Sequence, residues 1–223
     1  MKKIILVIAA HPDDELLGVG ATLAAHVRDG DDVFCVILGE GMNSREGAQS
    51  EELAALHANA RTAGAIIGFK EMYFCNVPDN AFDTVSLLSI TQRVEKYIAE
   101  IKPEVIYTHH GGDLNIDHRL TFQAVLTACR PCNEHAPQIL YTFETVSSTE
   151  WQSKDAQQFK PTSYKNIEAT FEIKLRALRC YVSEMREFPH SRSEKGLEVL
   201  AQYRGMESGM LLAEAFCLVR QKI

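Results

Sequence analysis

The chain has 223 residues, 46% of them apolar and 24% charged, with a formal net charge of -7. That length and apolar content suit one sizeable domain with a real hydrophobic core. The acidic balance, with no basic block anywhere, argues against binding a phosphate backbone, so no nucleic-acid partner is expected.

Residues 3–9 (KIILVIA) are a continuous apolar run rich in β-branched residues, as in a parallel strand buried on both faces. Residues 16–27 read as a helix with Leu16, Val19, Leu23 and Val27 on one face, and Gly30 suits the position just past its end. A strand at 32–38 follows, then a helix at 48–67 closed by Gly68, and a strand at 71–77. A helix at 85–101 stops before Pro103. A strand at 104–108, a helix at 117–128 and a strand at 138–143 complete the series. Strand and helix alternate with short connections, which predicts an α/β fold with a parallel sheet and right-handed crossovers. Beyond Glu144 the alternation stops. Residues 147–160 read as loop, 167–186 and 197–202 as helical, and 213–219 as a last strand or helix. The expected organisation is a single domain, with a core over about 1–144 and a C-terminal elaboration over about 145–223.

The apolar run after Lys2 and Lys3 is too short for a secretory signal and ends in His-Pro-Asp-Asp. No stretch reaches the ~20 apolar residues of a membrane span. Six cysteines are irregularly spaced, and Cys35 and Cys217 fall in apolar runs. Cys129 and Cys132 have CxxC spacing, but no second pair completes a four-cysteine zinc site, and a redox role has only this short motif behind it. A reduced, cytoplasmic protein is expected.

In open parallel sheets, ligands bind beyond the carboxyl ends of the strands. Three such loops are dense in polar groups: residues 10–15 after the first strand, 39–45 after the second and 109–118 after the fourth. In the first, His11, Asp13 and Asp14 directly follow a buried strand. Buried carboxylates without a partner are costly, and a divalent cation removes that cost. His11 and Asp14 can face one metal while Asp13 stays free. A catalytic zinc takes three protein ligands and keeps one position open. His118 is the first choice for the third, with His109 and His110 as competitors. Asp13 would then act as general base on a metal-activated water. The competing account is a helix start, with Asp13 or Asp14 as N-cap and Glu15 in the first turn. Residues 115–118 admit the same account. His26 and His57 lie in predicted helices without chemistry, His135 lies in a polar loop, and His190 is ambiguous. Gly18 and Gly20 nearly fit GxGxxG, but they sit inside a helix instead of at its start. They suit close packing, not a dinucleotide.

The run Ala-His-Pro-Asp-Asp-Glu (residues 10–15) resembles the signature of the PIG-L/LmbE-like N-acetylglucosaminyl deacetylases. Residues 113–119 (DLNIDHR) are similar to that family's second metal segment, and residues 203–209 and 213–216 to its ending. The resemblance spans nearly the whole chain. It implies a Rossmann-like three-layer sandwich with a mostly parallel sheet, a Zn2+ cofactor, and hydrolysis of the N-acetyl group of an amino sugar or its conjugate. By motif position it implies His11, Asp14 and His118 as metal ligands, Asp13 as base and Asp117 as an acid beside the third ligand. Arg45 would meet the sugar or a phosphate of the small-molecule substrate. It also leaves room for a homo-oligomer. One position departs from the family. Where many members carry a histidine three residues before the third ligand, this chain has Asn115. Either Asn115 is a neutral oxyanion donor, or His109, His110 or His190 takes the acid role. Two other functions stay open: an amidase on a non-sugar amide, and a non-catalytic sugar- or nucleotide-binding module.

Overall fold

The apolar runs of the sequence become the strands of one sheet in the computed structural model, which describes residues 2–41, 50–154 and 157–223. The order is β1 (Ile4–Ala9), α1 (Asp14–Arg28), β2 (Asp32–Gly39), α2 (Ser50–Ile67), β3 (Glu71–Val77), α3 (Leu87–Ile101), β4 (Val105–His109), α4 (Ile116–Ala128) and β5 (Ile139–Phe143). These bounds differ from the expected ones by only a few residues. The chain continues through β6 (Ser163–Asn166), α5 (Phe171–Leu178), α6 (Glu194–Ser208) and β7 (Ala213–Gln221).

The seven strands lie in the order β3-β2-β1-β4-β5-β7-β6. β1 pairs in parallel with both β2 and β4, so Ile5 faces Val33 on one side and Val105 on the other. β7 runs antiparallel between β5 and β6. The sheet is therefore mostly parallel, and the α/β three-layer architecture expected from the sequence is present. The chain order reverses between β1 and β4, the crevice where such sheets bind ligands.

Side chains alternate across the sheet with a period of two. Ile5, Val7 and Ala9 enter one buried cluster with Leu16 and Leu23 of α1, Ala60 and Ala63 of α2, Leu175 of α5 and Leu197 of α6. Leu6 and Ile8 enter the opposite cluster with Ile90, Val94 and Ile98 of α3 and Ala124 and Val125 of α4. Burial on both faces is why the first strand reads as an unbroken apolar run. A Cβ at Gly18 would overlap the ring of Phe143, so α1 packs on β5 only because that residue lacks one. Gly30 has φ +92 just past α1, the left-handed conformation expected at that end.

The C-terminal part departs most from expectation. The helix expected over 167–186 is only Phe171–Leu178, and turns follow it. Tyr181, 1% exposed, turns in to donate from its hydroxyl to Glu15 Oε1 at 2.8 Å. That contact with the start of α1 replaces further helix. β6 (SYKN) falls in a stretch with no apolar alternation and is held by backbone pairing to β7. Residues 213–219 resolve as strand. The expected helix at 197–202 extends over Glu194–Ser208, opened by Ser193, whose side chain accepts from Gly196 N–H.

A buried ion pair ties these additions to α1. Lys174 Nζ lies 2.7 Å from Glu214 Oε1 and donates to Leu17 O at 2.8 Å. Glu214 in turn accepts from the N–H groups of Ala21 and Thr22 at 3.1 and 2.7 Å. Every charge is thus partnered inside the protein, which a buried pair requires. No helix among the described residues is long and apolar enough to cross a membrane.

Candidate active site

The turn from β1 into α1 creates the first half of the site. Asp13 occupies the N-cap position with φ 104 and makes no side-chain cap hydrogen bond. Asp14 is the first residue of α1, and its Oδ2 instead accepts from His11 N–H at 3.0 Å. The helix-start account thus holds for the position of Asp13 and for the acids of the first turn, but neither aspartate side chain caps the helix. Asp13 is kept in its uncommon backbone region by its surroundings. Its N–H donates to Glu15 Oε2 at 3.0 Å, and its carbonyl accepts from Leu16 and Leu17 at 2.9 Å each.

The second half comes from the β4–α4 connection. Asn115 is the N-cap of α4, with its side-chain oxygen accepting from Asp117 N–H at 2.8 Å. The capped-helix account holds for this residue. One turn into α4, His118 Nε2 lies 3.1 Å from Asp14 Oδ2, and His11 Nδ1 lies 3.2 Å from the same oxygen. His11, Asp14 and His118 offer ligand atoms all within 4.8 Å of one another. Among the described residues, Asp14 Oδ1 is buried without a hydrogen-bond partner.

The electrostatics of this cluster favour positive charge. Burial works against a charged His11, but Asp117, Asp14 and Asp79 outweigh it and raise the ring to about 10. Burial likewise opposes a charged His118, and Asp14 and Asp113 raise it to about 9. The carboxyl of Asp14 is held well below its usual range against burial, chiefly by His118 and His109. Two imidazoles and one carboxylate, whose Oδ1 is buried without a partner, form a donor set that suits Zn2+. The residues present therefore fit the metal that the resemblance implies.

Surrounding side chains orient the two imidazoles. Asp117 Oδ2 is 2.9 Å from His11 Nε2, while its Oδ1 accepts from Phe82 N–H at 3.1 Å. Asp117 therefore buttresses His11, not its neighbour His118. Asp113 Oδ1 is 3.1 Å from His118 Nδ1. Carboxylates behind ligating histidines are the usual way a metal site fixes ring orientation.

The competing histidines are otherwise engaged. His109 is fully buried; its Nε2 accepts from Ala10 N–H at 2.9 Å and its Nδ1 is 3.2 Å from Thr145 Oγ1. Burial, then His118, lowers its pKa to about 3, so it is neutral. His110 Nε2 pairs with Gln157 O at 3.1 Å, and His190 Nδ1 accepts from Arg192 N–H at 3.1 Å. Arg45 lies outside the described residues.

A cavity of about 140 Å³ opens over the cluster, with His11, Asp13, Asp79, Asn80, Asn115 and Arg192 in its wall. Asp79 and Arg192 were not anticipated. Asp79 Oδ1 lies 3.2 Å from His11 Nε2. It follows β3, and the strand-end rule applied to that strand would have found it. Arg192 Nη1 lies 2.9 Å from Asp13 Oδ2. Burial raises the Asp13 carboxyl and Arg192 opposes it, leaving it at about 7.

The profile of the PIG-L family, described as GlcNAc-PI de-N-acetylase, matches residues 6–129, which include every member of the cluster. The chain belongs to the PIG-L family. Among PIG-L-type relatives, an uncharacterized deacetylase of Escherichia coli K12, YaiS, is 31% identical over 187 residues, covering 82% of this chain and 92% of that protein. The N,N'-diacetylchitobiose deacetylase of Pyrococcus horikoshii superposes with a TM-score of 0.79 at 20% identity, over 97% of this chain and 84% of that one. The 4-carboxy-2-hydroxymuconate hydratase of Pseudomonas putida superposes with a TM-score of 0.76 at 19% identity, over 100% of this chain and 98% of that one. The fold thus also serves a reaction that is not deacetylation, and the reaction has to be argued from the site.

Proposed function

We propose that this PIG-L family member is a zinc-dependent N-deacetylase that hydrolyses the acetamide of an N-acetylated amino sugar or its conjugate. The observation that carries the reading is the meeting of His11, Asp14 and His118, with His11 and a carboxylate outside that set, Asp13, in the wall of one cavity. The family's description and the deacetylase named among the relatives support the reaction, and the sugar named in that description supports the substrate class.

His11, Asp14 and His118 would hold the metal. Bound there, zinc supplies Lewis-acid polarisation of the acetamide carbonyl and makes water a nucleophile near neutral pH. Asp13 takes the proton of the attacking water on its carboxylate. The same proton can pass on to the leaving amine. Asn115 is the neutral donor of the oxyanion side. Its Oδ1 accepts from the Asp117 N–H, and its Nδ2 donates only a long hydrogen bond, 3.5 Å, to Asn80 Oδ1. His109, His110 and His190 are each partnered through a ring nitrogen, and the proton returns through Asp13. Arg45 remains the proposed contact for the sugar or a phosphate.

The test is acetate release from a panel of N-acetyl sugars and non-sugar acetamides. Release from sugars alone is expected, with Asp13→Asn lowering it by about 100-fold or more while zinc stays bound. Release from non-sugar amides alone would make the protein an amidase. No release from any substrate would leave a binding module.

A further inference from the structure

We infer that Arg192 is a positioning residue for Asp13, holding one oxygen of that carboxylate so that the other faces the cavity. The inference rests on the deacetylase reading above and deepens it by naming what aims the base. Asp13 and Arg192 are 179 residues apart, yet Arg192 Nη1 lies 2.9 Å from Asp13 Oδ2. Asp13 is 3% exposed, and a carboxylate buried to that degree needs a charged partner. Its Oδ1 accepts no hydrogen bond from the described residues, and Asp13 lines the cavity, so this oxygen is the one left for a proton.

Arg192 is itself fixed at three points. Nε donates to Ser147 Oγ at 2.6 Å, Nη1 also meets Glu184 Oε2 at 3.3 Å, and its own N–H is taken by His190 Nδ1 at 3.1 Å. Ser147 stands in a left-handed conformation (φ 64), with its N–H held by Glu150 Oε1 at 2.6 Å. Contacts from the β5 loop and from the segment after α5 therefore converge on one guanidinium. That arrangement uses the planar fork of arginine. A lysine ammonium is a point charge and could not meet Asp13 and Ser147 in the same geometry. The Asp13 backbone is fixed separately, through Glu15 and the first turn of α1. What Arg192 adds is the direction of the carboxyl plane.

The experiment compares the zinc-loaded wild type with Arg192→Gln, Arg192→Lys and Arg192→Gly on the best N-acetyl sugar. Expected is a fall in kcat of about 100-fold, the size of a small misplacement of a reacting group. KM and zinc content should stay near the wild type, the melting temperature should fall because Asp13 loses its buried partner, and added guanidinium should restore part of the kcat loss in Arg192→Gly. Arg179→Gln, in an exposed pair with Glu172 and Glu194, should behave as wild type. Unchanged kcat in Arg192→Gln and Arg192→Lys would overturn the inference. So would a joint loss of kcat, zinc and melting temperature in all three variants with no response to guanidinium, which would make Arg192 a structural residue. If the wild type releases no acetate, the deacetylase reading fails by itself. The contact is then judged by a thermal double-mutant cycle of Asp13→Asn and Arg192→Gln: non-additive shifts support it and additive shifts overturn it.

Discussion

Asp113 Oδ1 stands 3.1 Å from His118 Nδ1, and the hydroxyls of Ser148 and Thr149 both donate to that same carboxylate. Burial opposes ionisation of Asp113, but His118 and these hydroxyls outweigh it and hold the carboxyl at about 2. The loop after β5 therefore reaches the proposed metal through a carboxylate and an imidazole. Asp113→Asn should keep the fold but lower zinc affinity by about 10- to 100-fold, the usual effect of removing a carboxylate behind a ligating histidine. Titration with a competing chelator measures it. Unchanged affinity would show that Asp113 does not act on His118.

The packing of α1 against β5 gives a second test. A methyl group at Gly18 has nowhere to go except into the ring of Phe143, which is itself fully buried. Gly18→Ala should destabilise by about 1–3 kcal/mol, as overpacking of a dense core does. A lowered melting temperature checks this. A shift within error would mean that Phe143 moves aside freely.

A third test lies far from the metal cluster. His26 Nδ1 is 2.7 Å from Asp31 Oδ2 and its Nε2 is 3.1 Å from the Tyr107 hydroxyl. Burial lowers the His26 pKa below 6.5, and the hydrogen bond to Asp31 only partly offsets it. The unfolded chain then binds a proton that the folded chain refuses, so stability rises with pH across this range. The contribution is present above 6.5 and lost as pH falls from there toward the folded-state pKa. His26→Gln cannot titrate. Its melting temperature should fall less than that of the wild type between neutral pH and pH ~5. Parallel pH profiles would remove His26 as a source of acid sensitivity.

Sequence patterns carried the five parallel strands because each is a largely apolar run with its own turn signals, most plainly β1, which is buried on both faces of the sheet. The edge strand Ser163–Asn166 carries no such imprint, since only its backbone is demanded by β7. The helix expected over 167–186 failed for a different reason. Tyr181 has the spacing of a helical core residue but is spent on Glu15, a contact across 166 residues that no local pattern records. The site divides in the same way. His11, Asp14 and His118 follow strand ends, where polar residues next to buried strands stand out. Asp79 follows the third strand in the short run Pro78-Asp79-Asn80, which reads as an ordinary turn. Arg192 sits in an irregular segment, and only the fold brings it to Asp13. Asp117 stands next to His118 in sequence, but its carboxylate meets His11, because helical neighbours point to different partners in space.

The most direct test of the account is elemental analysis of the purified protein beside its His118→Ala variant. The account expects about one zinc per chain in the wild type and little or none in the variant, as three ligands fall to two. Equal zinc in both proteins, or none in the wild type after incubation with zinc and dialysis, would contradict a metal centre built from His11, Asp14 and His118.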